Sequence, residues 1–269
     1  MNWKRVSKAE KCPICGHDSW CICTQDVVIC MRVESDKPKT FKTGEVGWLH
    51  RITGQSHPTT TTDHKEPSKL TPAIDWRKMI GEWDERTHHE QLHNFAKHLG
   101  VSYGALCALE CSNAWDHGAW AFAMKDGYEN VVGVRLRDYV GNKWAVRGSH
   151  QGIFIPLVKP DRQITLVVEG PTDTAAALDL GFYAIGRPSC SGGGPQIKSF
   201  LYRKGIKRVV IISDNDEFGV RGAETLCELL PLPCCIILLP CKDLRDYVRF
   251  GGDRKLLDSK IDSAIWHNT

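Results

Sequence analysis

The chain has 269 residues, 35 Lys and Arg against 32 Asp and Glu, and a formal net charge of +3. That length gives one to two domains with real cores, and 42% hydrophobic with 25% charged residues is ordinary globular composition. No apolar run reaches the roughly 20 residues of a membrane helix, and the opening MNWKRVSKAEK has no apolar signal core. These features argue against whole-chain disorder, membrane spanning and secretion, and a cytoplasmic location with no membrane partner is expected.

The 12 cysteines are distributed unevenly, with Cys12, Cys15, Cys21, Cys23 and Cys30 inside the first 30 residues. In a reducing compartment clustered thiols read as metal ligands, and dispersed ones as small buried hydrophobes. Cys12-Pro13-Ile14-Cys15 has knuckle spacing, and Cys30 follows on a later strand, VVICMRV. Residues 1–52 are therefore expected to form a zinc ribbon holding one structural Zn²⁺. Cys12, Cys15 and Cys30 are the first three ligands. Cys21 is the favoured fourth, with His50, Cys23 and His17 as rivals, because the spacing lacks a clean second C-x2-C.

Residues 53–72 are polar and rich in Thr and Pro, which predicts a flexible linker. A helical segment follows over 73–112. Leu92, Phe95, Ala96 and Leu99 share one face, Gly100 ends that helix, and Ser102 caps another over 103–111. Within this segment, His89-Glu90-Gln91-Leu92-His93 matches the H-E-x-x-H zinc-protease helix. Its extended pattern fails at Ala96 and Leu99, so the match reads as chance.

Residues 113–160 alternate as short strands: WAFAM, VVGVRLR and KWAVRG. Arg135, Arg137, Lys143 and Arg147 fall within thirteen residues, and the first two share a strand face. Such a stripe suits a polyanion. From 161 the runs ITLVV, YAI, RVVII and CIILL are unbroken and separated by helical segments at 171–181, 196–204 and 220–230. This is the pattern of a parallel sheet flanked by helices. Its carboxyl ends carry Glu169, then Asp214 and Asp216, then Lys242 and Asp243. Ligands bind at such ends. Carboxylates crowded there favour Mg²⁺ or Mn²⁺, although each acid alone could merely cap the next helix.

The strand ending in Glu169-Gly170-x-x-Asp173, the strand ending in Asp214-x-Asp216, and Lys242-Asp243-Leu244-Arg245-Asp246-Tyr247 together resemble the TOPRIM domain of bacterial, phage and plasmid-type DNA primases. The TOPRIM region covers 161–258 within a catalytic core of 113–269. The resemblance implies catalysis by Glu169, Asp214 and Asp216. It places the divalent metal on Asp214, Asp216 and Asp243, with Asp246 as the alternative to Asp243. Template and nucleotides would meet Arg135, Arg137, Lys143, Arg147 and Lys242. The implied activity is synthesis of RNA primers on single-stranded DNA from ribonucleoside triphosphates, for a phage or other mobile element. A replicative helicase would act in trans, since no GxxxxGK[ST] occurs. A TOPRIM nuclease and a non-catalytic single-strand-binding accessory are the alternatives.

Overall fold

A computed structural model of the chain describes residues 3–35, 37–41, 46–52 and 74–267. They fall into two compact units, divided after residue 73. The linker expected over 53–72 lies outside the described residues.

The first unit is a five-stranded antiparallel sheet. Its strands are β1 (Lys4–Arg5), β2 (Ile22–Cys23), β3 (Val27–Cys30), β4 (Pro38–Thr40) and β5 (Val46–Arg51), in the order β1-β2-β3-β5-β4. Thr24 turns the β2–β3 hairpin, its hydroxyl accepting from the Asp26 and Val27 N–H groups. Among the described residues its buried cluster is Val6, Cys12, Cys21, Val28 and Cys30, with Ile14, Cys15, Cys23 and Met31 packed against it. So small a core cannot offset chain entropy unaided, and units of this size need a staple.

The second unit opens with three helices, α1 (Trp76–Glu85), α2 (His89–Leu99) and α3 (Tyr103–Ala108). Asp75 and Ser102 cap α1 and α3 through their side chains, and Gly100 closes α2 in the left-handed region. The apolar face expected on α2 is buried: Phe95 stacks on Trp120 with ring centroids 4.6 Å apart. Helix α3 ends three residues earlier than expected. Glu110 takes φ +54°, which breaks the helix and turns its carboxylate to the buried ammonium of Lys125. Cys107 is exposed, against the expectation that the dispersed thiols are buried.

Next comes an antiparallel sheet of β6 (Ser112–Ala114), β7 (Ala119–Lys125), β8 (Val131–Arg137) and β9 (Lys143–Ala145), in that order. Helix α1 covers one face, with Trp76 and Trp83 against Ala119, Ala121, Val134 and Leu136. The opposite face carries Trp120, Phe122 and Met124 into a core shared with the last layer.

That layer is a parallel sheet of β10 (Thr165–Glu169), β11 (Ala184–Arg187), β12 (Val209–Ser213) and β13 (Cys234–Leu238), in the order β11-β10-β12-β13. Leu166, Val168, Val210 and Ile212 face α4 (Gly170–Asp179), α7 (Leu244–Arg249) and α8 (Arg254–Asp262). Val167, Val209 and Ile211 face α5 (Gly194–Lys204) and α6 (Glu217–Leu229). Burial on both faces explains the unbroken apolar runs. The segment around 153–154 joins the two sheets. Ile153 bridges Lys125 and Phe154 bridges Gly186, the latter with paired N–H···O bonds of 2.9 Å. These bridges set the basic strands beside the parallel sheet.

Lys125 is 5% exposed, and Glu110 is its only carboxylate partner among the described residues. Removing that partner strands a buried charge. Glu110→Ala is expected to destabilise the second unit by about 3–5 kcal/mol, read as a lowered denaturation midpoint at unchanged m-value. A midpoint within error of wild type would contradict it.

Candidate active site and metal centres

The four thiols come from two turns. Cys12 and Cys15 flank a knuckle in which Gly16 (φ +74°) donates to the Cys12 carbonyl at 2.8 Å, and Cys12 donates to the His17 carbonyl at 2.7 Å. A side chain at that positive φ would be strained, so glycine closes the turn. Cys21 and Cys30 lie before β2 and at the end of β3, and their sulfurs accept from the N–H groups of Met31 (3.4 Å) and Val33 (3.3 Å). All four Sγ atoms lie within 4.8 Å of one another. Cys15 Sγ is 3.7 Å from Cys21 Sγ, and Cys21 Sγ is 3.9 Å from Cys30 Sγ. A tetrahedron with Zn–S of about 2.3 Å has an edge of about 3.8 Å, so the donor set and spacing fit that ion. His50 instead places Nε2 3.0 Å from the Val33 carbonyl, and Cys23 and His17 stand outside the cluster. Burial pushes Cys21 up to about 12. In Cys15 burial is outweighed by the His17 N–H and the neighbouring thiols, which bring it down to about 7. Four such thiols become thiolates together only around a cation.

At the second centre, the switch in strand order falls between β10 and β12, the usual crevice of an open sheet. Glu169 ends β10, and Gly170 (φ +72°) turns the chain at once into α4. Asp214 follows β12, Asp216 caps α6, and Asp243 caps α7. The Asp216 Oδ1 accepts from Gly219 N–H at 2.7 Å, and the Asp243 Oδ1 from Asp246 N–H at 2.8 Å. Capping and site membership are thus compatible, because each cap leaves a second oxygen. Asp246 has Arg249 3.6 Å away.

Asp173, the last residue of the Glu169-Gly170-x-x-Asp173 motif, is not among the site residues expected from the sequence, and the structure brings it to the same strand end. It sits one turn into α4, 6% exposed, with Oδ1 accepting the Arg245 N–H at 3.0 Å. Burial, then the nearby Asp243 charge, pushes its pKa up to about 8. Burial also raises Asp214 to about 7, with Glu169, Asp243 and Asp216 adding to the effect. Glu169 is raised by burial, against the pull of Arg187, and its Oε1 is buried without a partner among the described residues. The carboxylates form an open row. Among the described residues, no three of them bring oxygens within 4.8 Å of one another as the thiols do. An all-oxygen donor set with room for waters and phosphate oxygens is of the kind that hard divalent cations accept.

The basic residues divide. Arg135 stands opposite Phe122 and Arg137 opposite Trp120, so both guanidiniums belong to the β8 face that looks into the shared core. Arg135 donates to the Pro188 carbonyl at 3.5 Å. Burial, then the charge of Arg245, lowers the pKa of Arg137. Lys143 pairs with Arg137 across β8–β9 and acts electrostatically on Glu169 and Asp214. Arg147 and Lys242 are exposed, and neither side chain bonds a described residue of the row. Arg187 was not anticipated. It ends β11 in register with Glu169, is 3% exposed, and donates to the Cys190 carbonyl.

The H-E-x-x-H match holds no metal cluster among the described residues. His93 stacks on Tyr103 at 4.1 Å, and His89 Nδ1 bonds the Tyr103 hydroxyl.

The raised Asp173 pKa has a measurable consequence. Between its unfolded value of 3.8 and about 8, the folded chain binds more protons than the unfolded one. Stability of magnesium-free protein should therefore fall as pH rises through that window. Asp173→Asn keeps the acceptor for Arg245 N–H and removes the titration. It is expected to be the more stable protein at pH 8 by on the order of a few kcal/mol, with the gap closing towards pH 4. Parallel pH–stability curves would contradict the assignment.

A parallel TOPRIM-type sheet, with an acidic row facing a basic antiparallel sheet, defines a primase catalytic core fold. Solved structures share it. A DnaG primase catalytic domain bound to single-stranded DNA superposes with a TM-score of 0.56 at 15% identity, covering 71% of this chain and 77% of that one. The zinc-binding and RNA polymerase domains of the Aquifex aeolicus primase give 0.57 at 14% identity, over 71% and 60%. In sequence, the chain is 21% identical over 150 residues to the DNA helicase/primase of Enterobacteria phage T3, covering 53% of this chain and 26% of that protein. It thus spans about a quarter of that relative. No family model matches the chain. No helix among the described residues is long and apolar enough to cross a membrane.

Proposed function

We propose that the chain is a DNA primase that joins ribonucleotides into short RNA primers on single-stranded DNA, in the replication of a phage or other mobile element. The observation that carries the reading is one sheet edge at which Glu169, Asp214, Asp216 and Asp243 are opposed by Arg137 and Lys143. Such an edge suits two phosphates brought together over a cation.

Asp214, Asp216 and Asp243 are the residues that would hold Mg²⁺ or Mn²⁺. The bound ion supplies charge neutralisation at the reacting phosphate and the leaving pyrophosphate. Glu169, its pKa already raised by burial, takes the proton of the attacking 3′-hydroxyl, since a base nearer neutrality works better at cellular pH. Arg135, Arg137, Lys143, Arg147 and Lys242 bind template and triphosphate. The four N-terminal thiols hold one structural Zn²⁺. The ribbon of residues 1–52 then reads a short template site. The phage relative's name couples helicase to primase, which supports a replicative helicase as partner.

The test is incubation with single-stranded template, labelled ribonucleoside triphosphates and Mg²⁺ or Mn²⁺. Labelled oligoribonucleotides are expected. Shortened template without labelled product would make the chain a nuclease. Retarded template with neither product would make it a binding accessory.

A further inference from the structure

Four arginines carry a buried Nε that donates to no described residue: Arg135, Arg137, Arg187 and Arg245. A buried donor left unpaired costs about 1–3 kcal/mol, more when charged, so four at one edge ask for a ligand. Two of them have an outlet, Arg135 to the Pro188 carbonyl and Arg187 to the Cys190 carbonyl. Arg137 and Arg245 have none. Neither guanidinium donates to any described group, and no described carboxylate oxygen lies within 4.0 Å of either, or of Lys143.

The three cations are held together by the fold. Arg137 ends β8, is 8% exposed, and pairs in register with Lys143. Arg245 occupies the first turn of α7, fixed there by its own N–H on the buried Asp173 carboxylate at 3.0 Å. The Arg245 charge bears on both Arg137 and Lys143. Cations held near enough to repel one another, without a paired anion, gain most from a multiply charged one. The guanidinium fork matches phosphate oxygens two at a time. Asp173, Asp138 and Asp243 act on Arg137 only at a distance.

We infer that Arg245, with Arg137 and Lys143, seats a phosphate group beside the acidic row, and that Arg245 is a binding residue of this site. The inference rests on the primase reading only for the source of the phosphate, which is either the triphosphate of an incoming nucleotide or the backbone of the template.

The test compares wild type, Arg245→Ala and Arg245→Lys. Magnesium pyrophosphate and magnesium GTP are titrated by calorimetry, and a fluorescent single-stranded oligonucleotide by anisotropy. Loss of one charged fork should weaken pyrophosphate about tenfold to a hundredfold, and lysine should restore part of it by returning the charge without the fork. The Asp173 bond uses the backbone N–H, which alanine keeps, so an unchanged melting temperature should accompany the loss. GTP weakened with the oligonucleotide unchanged assigns the seat to the triphosphate. The reverse assigns it to the template. Unchanged pyrophosphate affinity in folded Arg245→Ala overturns the inference. A wild-type protein that binds pyrophosphate through Arg245 yet makes no primers would keep the seat and lose the primase reading. Primers made by an Arg245→Ala protein whose pyrophosphate affinity is unchanged would do the opposite.

Discussion

Asp214→Asn is expected to abolish primer synthesis while the chain stays folded and bound to template. The side chain sits at the end of the central strand β12, between Glu169 on one side and Asp243 on the other. Burial, with the charges of Glu169, Asp243 and Asp216 adding to it, pushes its pKa up to about 7. A divalent cation reverses that balance by making the ionised form the favoured one. Asparagine keeps size and polarity and loses the charge, so the metal-free fold should be no less stable than wild type. Removing one anchor of a catalytic cation typically removes several kcal/mol of transition-state stabilisation, so synthesis should fall by at least about a thousandfold. Template affinity depends on the basic strands and should hold within about twofold. Labelled-primer yield and oligonucleotide anisotropy on the same preparation check both halves. Undiminished synthesis would remove Asp214 from the site.

Much of this site could be read in the sequence because its chemistry is local. Glu169 follows an apolar run directly, Asp214 after one intervening residue and Asp243 after three, and a parallel sheet brings all such ends to one edge. Spacing also carried information that the cap reading obscured. Asp173 lies four residues after Glu169, one helical turn, which returns its carboxylate to the strand end. Asp216 and Asp243 are caps and members of the row together, so the two readings were never exclusive. What stayed hidden depends on pairing between distant segments. Arg187 closes an ordinary apolar strand, and only the β10–β11 register puts it beside Glu169. The Glu110–Lys125 pair explains why α3 stops short, and no local propensity announces a positive φ at a glutamate. The sequence places Arg137 on a basic strand face but does not say that the face is buried. Arg137 is buried because its face is the one the 153–154 bridge turns towards the parallel sheet.

Removal of zinc is expected to unfold the first unit and leave the second intact. The thiols supply three of the five residues in the first unit's buried cluster, so without a cation the sheet has almost nothing to fold around. Structural zinc in modules of this size contributes on the order of 10–16 kcal/mol near pH 7, more than the whole stability of a typical domain. The second unit has its own extended cores on both faces of the parallel sheet and no ligand in the cluster. Cys12→Ser should have the effect of a chelator, because a hydroxyl at that knuckle position replaces a buried thiolate with a poor zinc ligand. Metal analysis should find one zinc per wild-type chain and well under one in the variant. Limited proteolysis should then release residues 1–52 as small fragments and spare a core beginning near residue 74. Template-site preference should decline more than metal-dependent bond formation on an unstructured template, since the carboxylate row lies wholly in the second unit. A zinc-free preparation with an intact, protease-resistant first unit would overturn the assignment of these four cysteines.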